Sequence, residues 1–63
     1  MKIRIAYRTR HADEVKRIQA VAGTTYMTVN REVTIHNVDA AKLKEIEELV
    51  KMRLVEVRER KEE

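Results

Sequence analysis

The chain has 63 residues, of which 40 % are charged, and its formal net charge is +3. It contains one glycine and neither proline nor cysteine. This length allows one domain, residues 1–63, with a thin hydrophobic core and too few residues to wall a deep catalytic cleft. The lack of cysteine excludes disulfides and thiolate metal sites.

The positive charge is concentrated in residues 1–17, where six basic and two acidic side chains give a net charge of +4. Residues 18–38 are balanced, and residues 39–63 carry seven basic and eight acidic side chains. No uninterrupted apolar run exceeds three residues, which excludes a transmembrane helix. We expect a folded cytoplasmic protein that does not enter a membrane and has a basic patch near its first strand.

A strand followed by a helix is predicted for the first third of the chain. Residues 2–8 alternate between apolar and cationic side chains, which is typical of a half-buried strand. Apolar residues within 12–22 follow helical spacing instead. The only glycine, Gly23, comes directly after this stretch, where a left-handed residue often ends a helix.

A β-hairpin is predicted next, because residues 24–29 and 32–36 are rich in threonine, valine, isoleucine and tyrosine. Asn30 and Arg31 would form its turn, although arginine is a poor second turn residue and the loop could be longer. With a two-residue turn, Tyr26 faces Ile35 on the covered side of the sheet. Met27 and Val29 then lie on the open side.

Residues 39–63 allow two interpretations. Asp39 is a good N-cap, and no glycine, asparagine or proline follows it to end a helix. Five apolar side chains stay within an arc of about 80° on a helix, which favours one helix over 39–60, about 33 Å long. They are Leu43, Ile46, Val50, Leu54 and Val57. The alternative ends the helix near Met52 and starts a strand at Leu54.

The predicted fold is therefore a two-layer α+β domain in the order β-α-β-β-α. It has a three-stranded sheet, with both helices on one face and a long C-terminal helix. If residues 54–58 form a strand instead, the fold becomes ferredoxin-like, βαββαβ.

Residues 15–50 resemble the KH family of RNA-binding domains. Val15 to Ile18, with Gly23 five residues later, look like the family's second helix and its terminal glycine. Tyr26 and Thr28 stand where the family has core residues of the next strand, and 39–50 looks like the closing helix. The family's GxxG loop would fall at residues 9–12, which lack glycine, and residues 1–14 leave no room for the family's first helix. The resemblance implies RNA binding without that backbone clamp.

Enzymatic chemistry has no counterpart in the sequence. His11 and His36 are the only histidines, and neither lies in a spacing typical of a metal site or a nucleophilic triad. One glycine cannot build a glycine-rich phosphate loop. We expect no catalytic residues, metal ion, cofactor or small-molecule substrate.

Two functions are compatible with this pattern. The first is a non-enzymatic protein-interaction module that self-associates, as a homodimer or larger homo-oligomer, and regulates or inhibits a larger partner, because apolar residues of the long helix would stay exposed. Its interface residues are Met27, Val29, Leu49, Met52, Leu54, Val55 and Val57. The second is an RNA- or DNA-binding domain that uses the basic N-terminal strand and the loop after it. Its contact residues are Lys2, Arg4, Arg8, Arg10, Lys16 and Arg17.

Overall fold

Strands and helices alternate along the chain in the structure, a computed structural model that describes residues 1–62. The elements are β1 (Lys2–Tyr7), α1 (Ala12–Ala22), β2 (Glu32–Ile35), α2 (Ala40–Lys51) and β3 (Val55–Lys61). β1 lies between β2 and β3 and pairs antiparallel with both. The predicted α+β class and three-stranded sheet are confirmed. The predicted order is wrong, because the last element is a strand.

The two helices cover one face of the sheet and enclose the core. Ile3, Ile5 and Tyr7 point from β1 into this layer and are at most 7 % exposed. Ile18 of α1 and Ile46 of α2 close the core from the helix side and are at most 1 % exposed. The remaining core residues are Val33, Ile35, Val38, Leu49, Leu54 and Val55. We call the opposite, helix-free face of the sheet the back face.

The predicted long helix over 39–60 is wrong because the chain turns sharply after Lys51. Arg53 adopts a left-handed conformation with φ 62°. Its N–H donates to Val50 O (3.0 Å), and Leu54 N–H donates to Leu49 O (3.0 Å). This pair of bonds is the Schellman motif, which ends a helix and normally uses glycine at the left-handed position. Leu54, in the turn, and Val55, the first residue of β3, therefore enter the core.

Of the predicted hairpin, the turn and the second strand, β2, are formed, but the first strand is not. Thr28 N–H donates to Glu32 O (2.9 Å), Arg31 N–H donates to Thr28 O (2.9 Å), and Arg31 is left-handed with φ 60°. Residues 24–28 do not form a strand. The Thr24 hydroxyl accepts from Tyr26 N–H (3.0 Å), a local bond that competes with a strand ladder. The ferredoxin-like alternative thus predicts the final strand correctly, but its strand over residues 24–29 does not form.

Residues 24–31 instead serve as the return path between α1 and β2. α1 runs back along β1 and so ends beside the start of that strand. β2 begins at its opposite end, where Tyr7 N–H donates to Arg31 O (2.8 Å). An eleven-residue helix is about 16 Å long, and the connection must cover that distance again. Tyr26, expected in the core, is 66 % exposed as a result.

The predicted end of α1 is confirmed, and α2 contributes to it. Gly23 is left-handed with φ 74°, and its N–H donates to Gln19 O (2.8 Å). Lys42 Nζ donates to Val21 O (2.7 Å), a carbonyl of the last turn of α1. Asp39 caps α2, since its Oδ1 accepts from Lys42 N–H (2.8 Å). The two helices are therefore joined where one ends and the other begins.

The left-handed arginine gives a first prediction. Arg53→Gly removes the clash that a side chain causes at positive φ, and we expect it to raise the free energy of unfolding by about 0.5–1 kcal/mol. The melting temperature should rise by several degrees in thermal denaturation followed by circular dichroism. Arg53→Ala is the matched control, because it removes the charge but keeps the strain. If both variants melt alike, the left-handed helix end is wrong.

Candidate functional site

An apolar groove lies between α2 and β3, along the edge of the molecule. Among residues 1–62, β3 is the last strand on this side of the sheet. One side of α2 therefore has no strand beneath it. Its volume is about 250 Å³. The groove is lined by Ile3, Leu43, Ile46, Glu47, Val50, Val57 and Arg60.

The groove has a buried floor and exposed apolar walls. Ile3 and Ile46 are each 1 % exposed and belong to the core. Val50 on α2 and Val57 on β3 are 38 % and 41 % exposed. A charged residue also stands on each side, Glu47 on the helix and Arg60 on the strand. Exposed apolar surface with a charged rim is typical of a protein-binding site.

The outer edge of β3 borders this groove and carries unpaired backbone groups. Arg8 N–H donates toward β3, to Leu54 O (2.8 Å), whereas Tyr7 N–H donates toward β2. Successive residues of β1 therefore form their backbone hydrogen bonds alternately with β2 and with β3. The residues paired with Tyr7, Ile5 and Ile3 must then direct their backbone N–H and C=O away from β1. They are Val55, Val57 and Arg60.

A β-bulge interrupts this edge at Arg58. Ile5 pairs with Val57, but Arg4 pairs with Glu59, so one extra residue lies in β3. In a regular strand, one residue separates successive residues whose backbone groups face outward. Here two residues, Arg58 and Glu59, separate the outward-facing Val57 and Arg60. A regular strand cannot match that spacing, and bulges of this kind limit the pairing of exposed edges.

Ion pairs cross the back face of the sheet. Arg58 Nε lies 3.6 Å from Glu32 Oε2 on β2, and Arg58 Nη1 lies 3.2 Å from Glu56 Oε1. Ala6 of β1 pairs with both glutamates, so the Arg58 side chain must pass over it. Ala6 is 4 % exposed for this reason. Arg4 also approaches Glu32 (3.9 Å), so the back face has mixed charge.

The cations predicted to contact nucleic acid are separated by the fold. Arg8, Arg10, Lys16 and Arg17 are exposed at the end of β1 and on α1. Arg53 joins Arg8 there, since Leu54 accepts the bond from Arg8 N–H. Among residues 1–62, the arginines at 8, 10 and 53 have no ion-pair partner, and we call these three the cationic end. Lys2 and Arg4 lie instead toward the start of β1, where Arg4 is paired with Glu32.

Thr9 joins the cationic end to the turn before β2. Its hydroxyl donates to Glu14 Oε1 and accepts from His11 N–H (3.2 Å). Arg31 Nη2 donates to Thr9 O (2.6 Å). The Tyr7 hydroxyl and Arg31 Nε are buried without a hydrogen-bond partner in the part of the chain that the structure describes. Burial raises the pKa of Tyr7, and the Arg31 guanidinium partly offsets this.

The predicted interface residues fall into two groups. Leu49, Leu54 and Val55 are buried in the core at 5 % exposure or less, so the expectation that they stay exposed is wrong. It rested on a long helix, in which Leu49 and Val55 lie outside the buried stripe and Leu54 extends beyond the end of the sheet. Four predicted residues are exposed, and only one of them lines the groove. They are Met27, Val29 and Met52, and Val57 in the groove.

Val50, Glu47 and Arg60 complete the groove and were missed by sequence reasoning. Val50 lies in the middle of the apolar stripe of α2, so its spacing predicts burial. The available signal was the alternation of residues 55–58, Val-Glu-Val-Arg, which indicates a strand. A final edge strand would have placed one side of α2 beyond the sheet.

Within residues 1–62, no group of three or more His, Cys, Asp or Glu side chains could hold a metal ion. None of the helices in that range is long and apolar enough to cross a membrane.

Comparison with known proteins gives no relative for this chain. No family model, no curated protein and no solved structure matches it.

The buried tyrosine gives the second prediction. Tyr7→Phe removes a buried hydroxyl that has no partner in the described chain, so we expect stability at pH 7 to be unchanged or higher by up to about 1 kcal/mol. The folded-state pKa of Tyr7 is raised above 10.0, so the unfolded chain loses this proton first as pH rises. Stability should therefore fall from about pH 10 upward.

Urea unfolding of both proteins between pH 8 and 11 measures this effect. The wild type should lose more stability than Tyr7→Phe over this range, because other alkaline groups are common to both. Equal losses would show that Tyr7 is not buried in the folded state.

Proposed function

We propose that this chain is a non-enzymatic protein-interaction module that self-associates and regulates or inhibits a larger partner. The observation that supports it is the apolar groove beside the free edge of β3. Val50 and Val57 are about two-fifths exposed there, next to backbone donors and acceptors that face away from β1. A polypeptide strand could satisfy both features at once, because it would pair with the edge and cover the groove.

Association that covers the groove is favourable because it removes apolar surface from water. A chain of 63 residues buries only about 60 % of the surface that its unfolded form exposes, a smaller share than a larger domain buries. Each further Å² of apolar surface that leaves water contributes about 25 cal/mol. The groove floor is continuous with the core through Ile3 and Ile46. A strand seated there would extend the core itself.

Self-association through this groove is the third prediction. Val57→Lys places a charge in the groove and beside the β3 edge, and we expect it to weaken a homodimer at least tenfold. Sedimentation equilibrium from micromolar to millimolar concentration measures the dissociation constant.

Val29→Lys is the matched control for this experiment. Val29 is 99 % exposed in the turn before β2, so the same substitution adds the same charge on the opposite edge of the sheet. It should leave the dissociation constant unchanged. A wild-type chain that is monomeric at millimolar concentration, or equal weakening by both variants, would rule out the groove.

Nucleic-acid binding is the second candidate. The supporting observation is that Arg8, Arg10 and Arg53 lie at the same end of β1 without ion-pair partners among the described residues, while Tyr26 is 66 % exposed. Unpaired guanidinium groups bind phosphates, and an exposed aromatic ring can stack on a base. The resemblance of residues 15–50 to KH domains is in line with this candidate and remains a prediction.

The fourth prediction separates this candidate from the first. Arg8→Glu with Arg10→Glu should abolish binding of a mixed-sequence single-stranded RNA or DNA, measured by fluorescence anisotropy at 50 mM salt, and leave self-association nearly intact. Lys44→Glu with Lys61→Glu changes the net charge equally but away from the cationic end. It should reduce binding by much less. No binding of any probe by the wild type at low salt excludes this candidate.

A further inference from the structure

The charges of β3 are complementary to those of a second β3 in one antiparallel register. When Arg58 of one copy lies opposite Glu59 of the other, Glu56 lies opposite Lys61. The two-fold symmetry of such a pair repeats each contact. Four cross-strand pairs of opposite charge result, and no like charges face each other between residues 55 and 62.

Neighbouring registers do not have this property. A shift of one residue places either Arg58 opposite Arg58 or Glu59 opposite Glu59. A shift of two residues places Glu56 opposite Glu59, or Arg58 opposite Lys61. Like charges directly opposite on a sheet are destabilising, so the pattern selects one register.

The bulge supports the same register. The outward-facing backbone groups of β3 at Val57 and Arg60 are separated by two residues instead of one. In this register Val57 lies opposite Arg60 of the second copy, and Arg60 lies opposite its Val57. The irregular spacing is then the same on both strands, so that two pairs of backbone hydrogen bonds can form. A regular strand offers no such match.

We propose that the groove is occupied by a second copy of this chain, whose β3 pairs antiparallel with β3 in the register that sets Arg58 opposite Glu59. This rests on the proposed self-association and adds its geometry. The two sheets become one sheet of six strands, and the two grooves meet at the two-fold axis. Val57 of each copy then lies opposite Arg60 of the other, and the exposed apolar walls, Val50 and Val57, are covered. Because charge pairs fix the register, association weakens as salt concentration rises.

A charge-exchange experiment tests this register as the fifth prediction. Lys61→Glu places glutamate opposite Glu56 in its homodimer, and Glu56→Lys places lysine opposite Lys61 in its own. Each variant alone should dimerise about tenfold more weakly than the wild type. An equimolar mixture restores both attractive pairs and should form mixed dimers close to wild-type affinity, measured by isothermal titration of one variant into the other.

Folding of the two variants can be controlled separately. Lys61 pairs with Lys2 in the sheet, so Lys61→Glu removes a repulsion within one chain and should not lower its melting temperature. Glu56 contacts Arg58 (3.2 Å), so Glu56→Lys could lower it. If the melting temperature of Glu56→Lys is lower, Glu56→Gln is used in its place. Mixed dimers remain favoured, because they keep one attractive pair between positions 56 and 61, whereas both homodimers have none there.

The outcomes separate the register from the proposed function. Tighter association of the mixture than of either variant supports the register. A wild-type dimer that Val57→Lys disrupts, together with a mixture no tighter than its components, overturns the register and leaves self-association standing. A wild-type chain that stays monomeric at millimolar concentration overturns both.

Discussion

The central position of β1 determines the rest of this small fold. A chain of 63 residues is too short for a wide sheet, and its central strand, β1, pairs with both of the other strands. Its helix-facing residues Ile3, Ile5 and Tyr7 form the middle of the core. On the back face, Ala6 is small enough for Arg58 to cross it and reach Glu32. A larger residue at position 6 would separate these groups and break the ion pair that links the two outer strands.

The parts of the fold that depend on local pattern were predictable. Residues 2–8 alternate and form β1, and residues 12–22 form α1, which ends at the left-handed Gly23. The long helix was wrong because two independent patterns happened to agree in phase. The apolar residues of α2 have helical spacing, and those at 54 and 57 continue that phase by coincidence. Only the left-handed Arg53 separates them, and arginine gives no sequence signal for that conformation.

The candidate site was less predictable than the fold because it depends on where the sheet ends. Val57 was assigned to an interface for a wrong reason, as part of an overhanging helix, yet it lines the groove. Leu49 and Leu54 were assigned with it but meet in the core, since the Schellman turn folds one back against the other. The threonines at 24 and 28 have high strand propensity, but their hydroxyls bond to nearby N–H groups. Such local competition is not visible in a propensity scale.

Arg58 links the stability of one chain to the proposed contact between two. The bulge that it forms directs its guanidinium across the back face to Glu32, which ties β3 to β2 over β1. The same bulge changes the spacing of the outward-facing groups at Val57 and Arg60, so an ordinary strand does not fit. An edge strand without this bulge would be open to pairing with any extended chain. The residue that links β3 to β2 thus also restricts the edge, and in the proposed register a second β3 has the matching spacing.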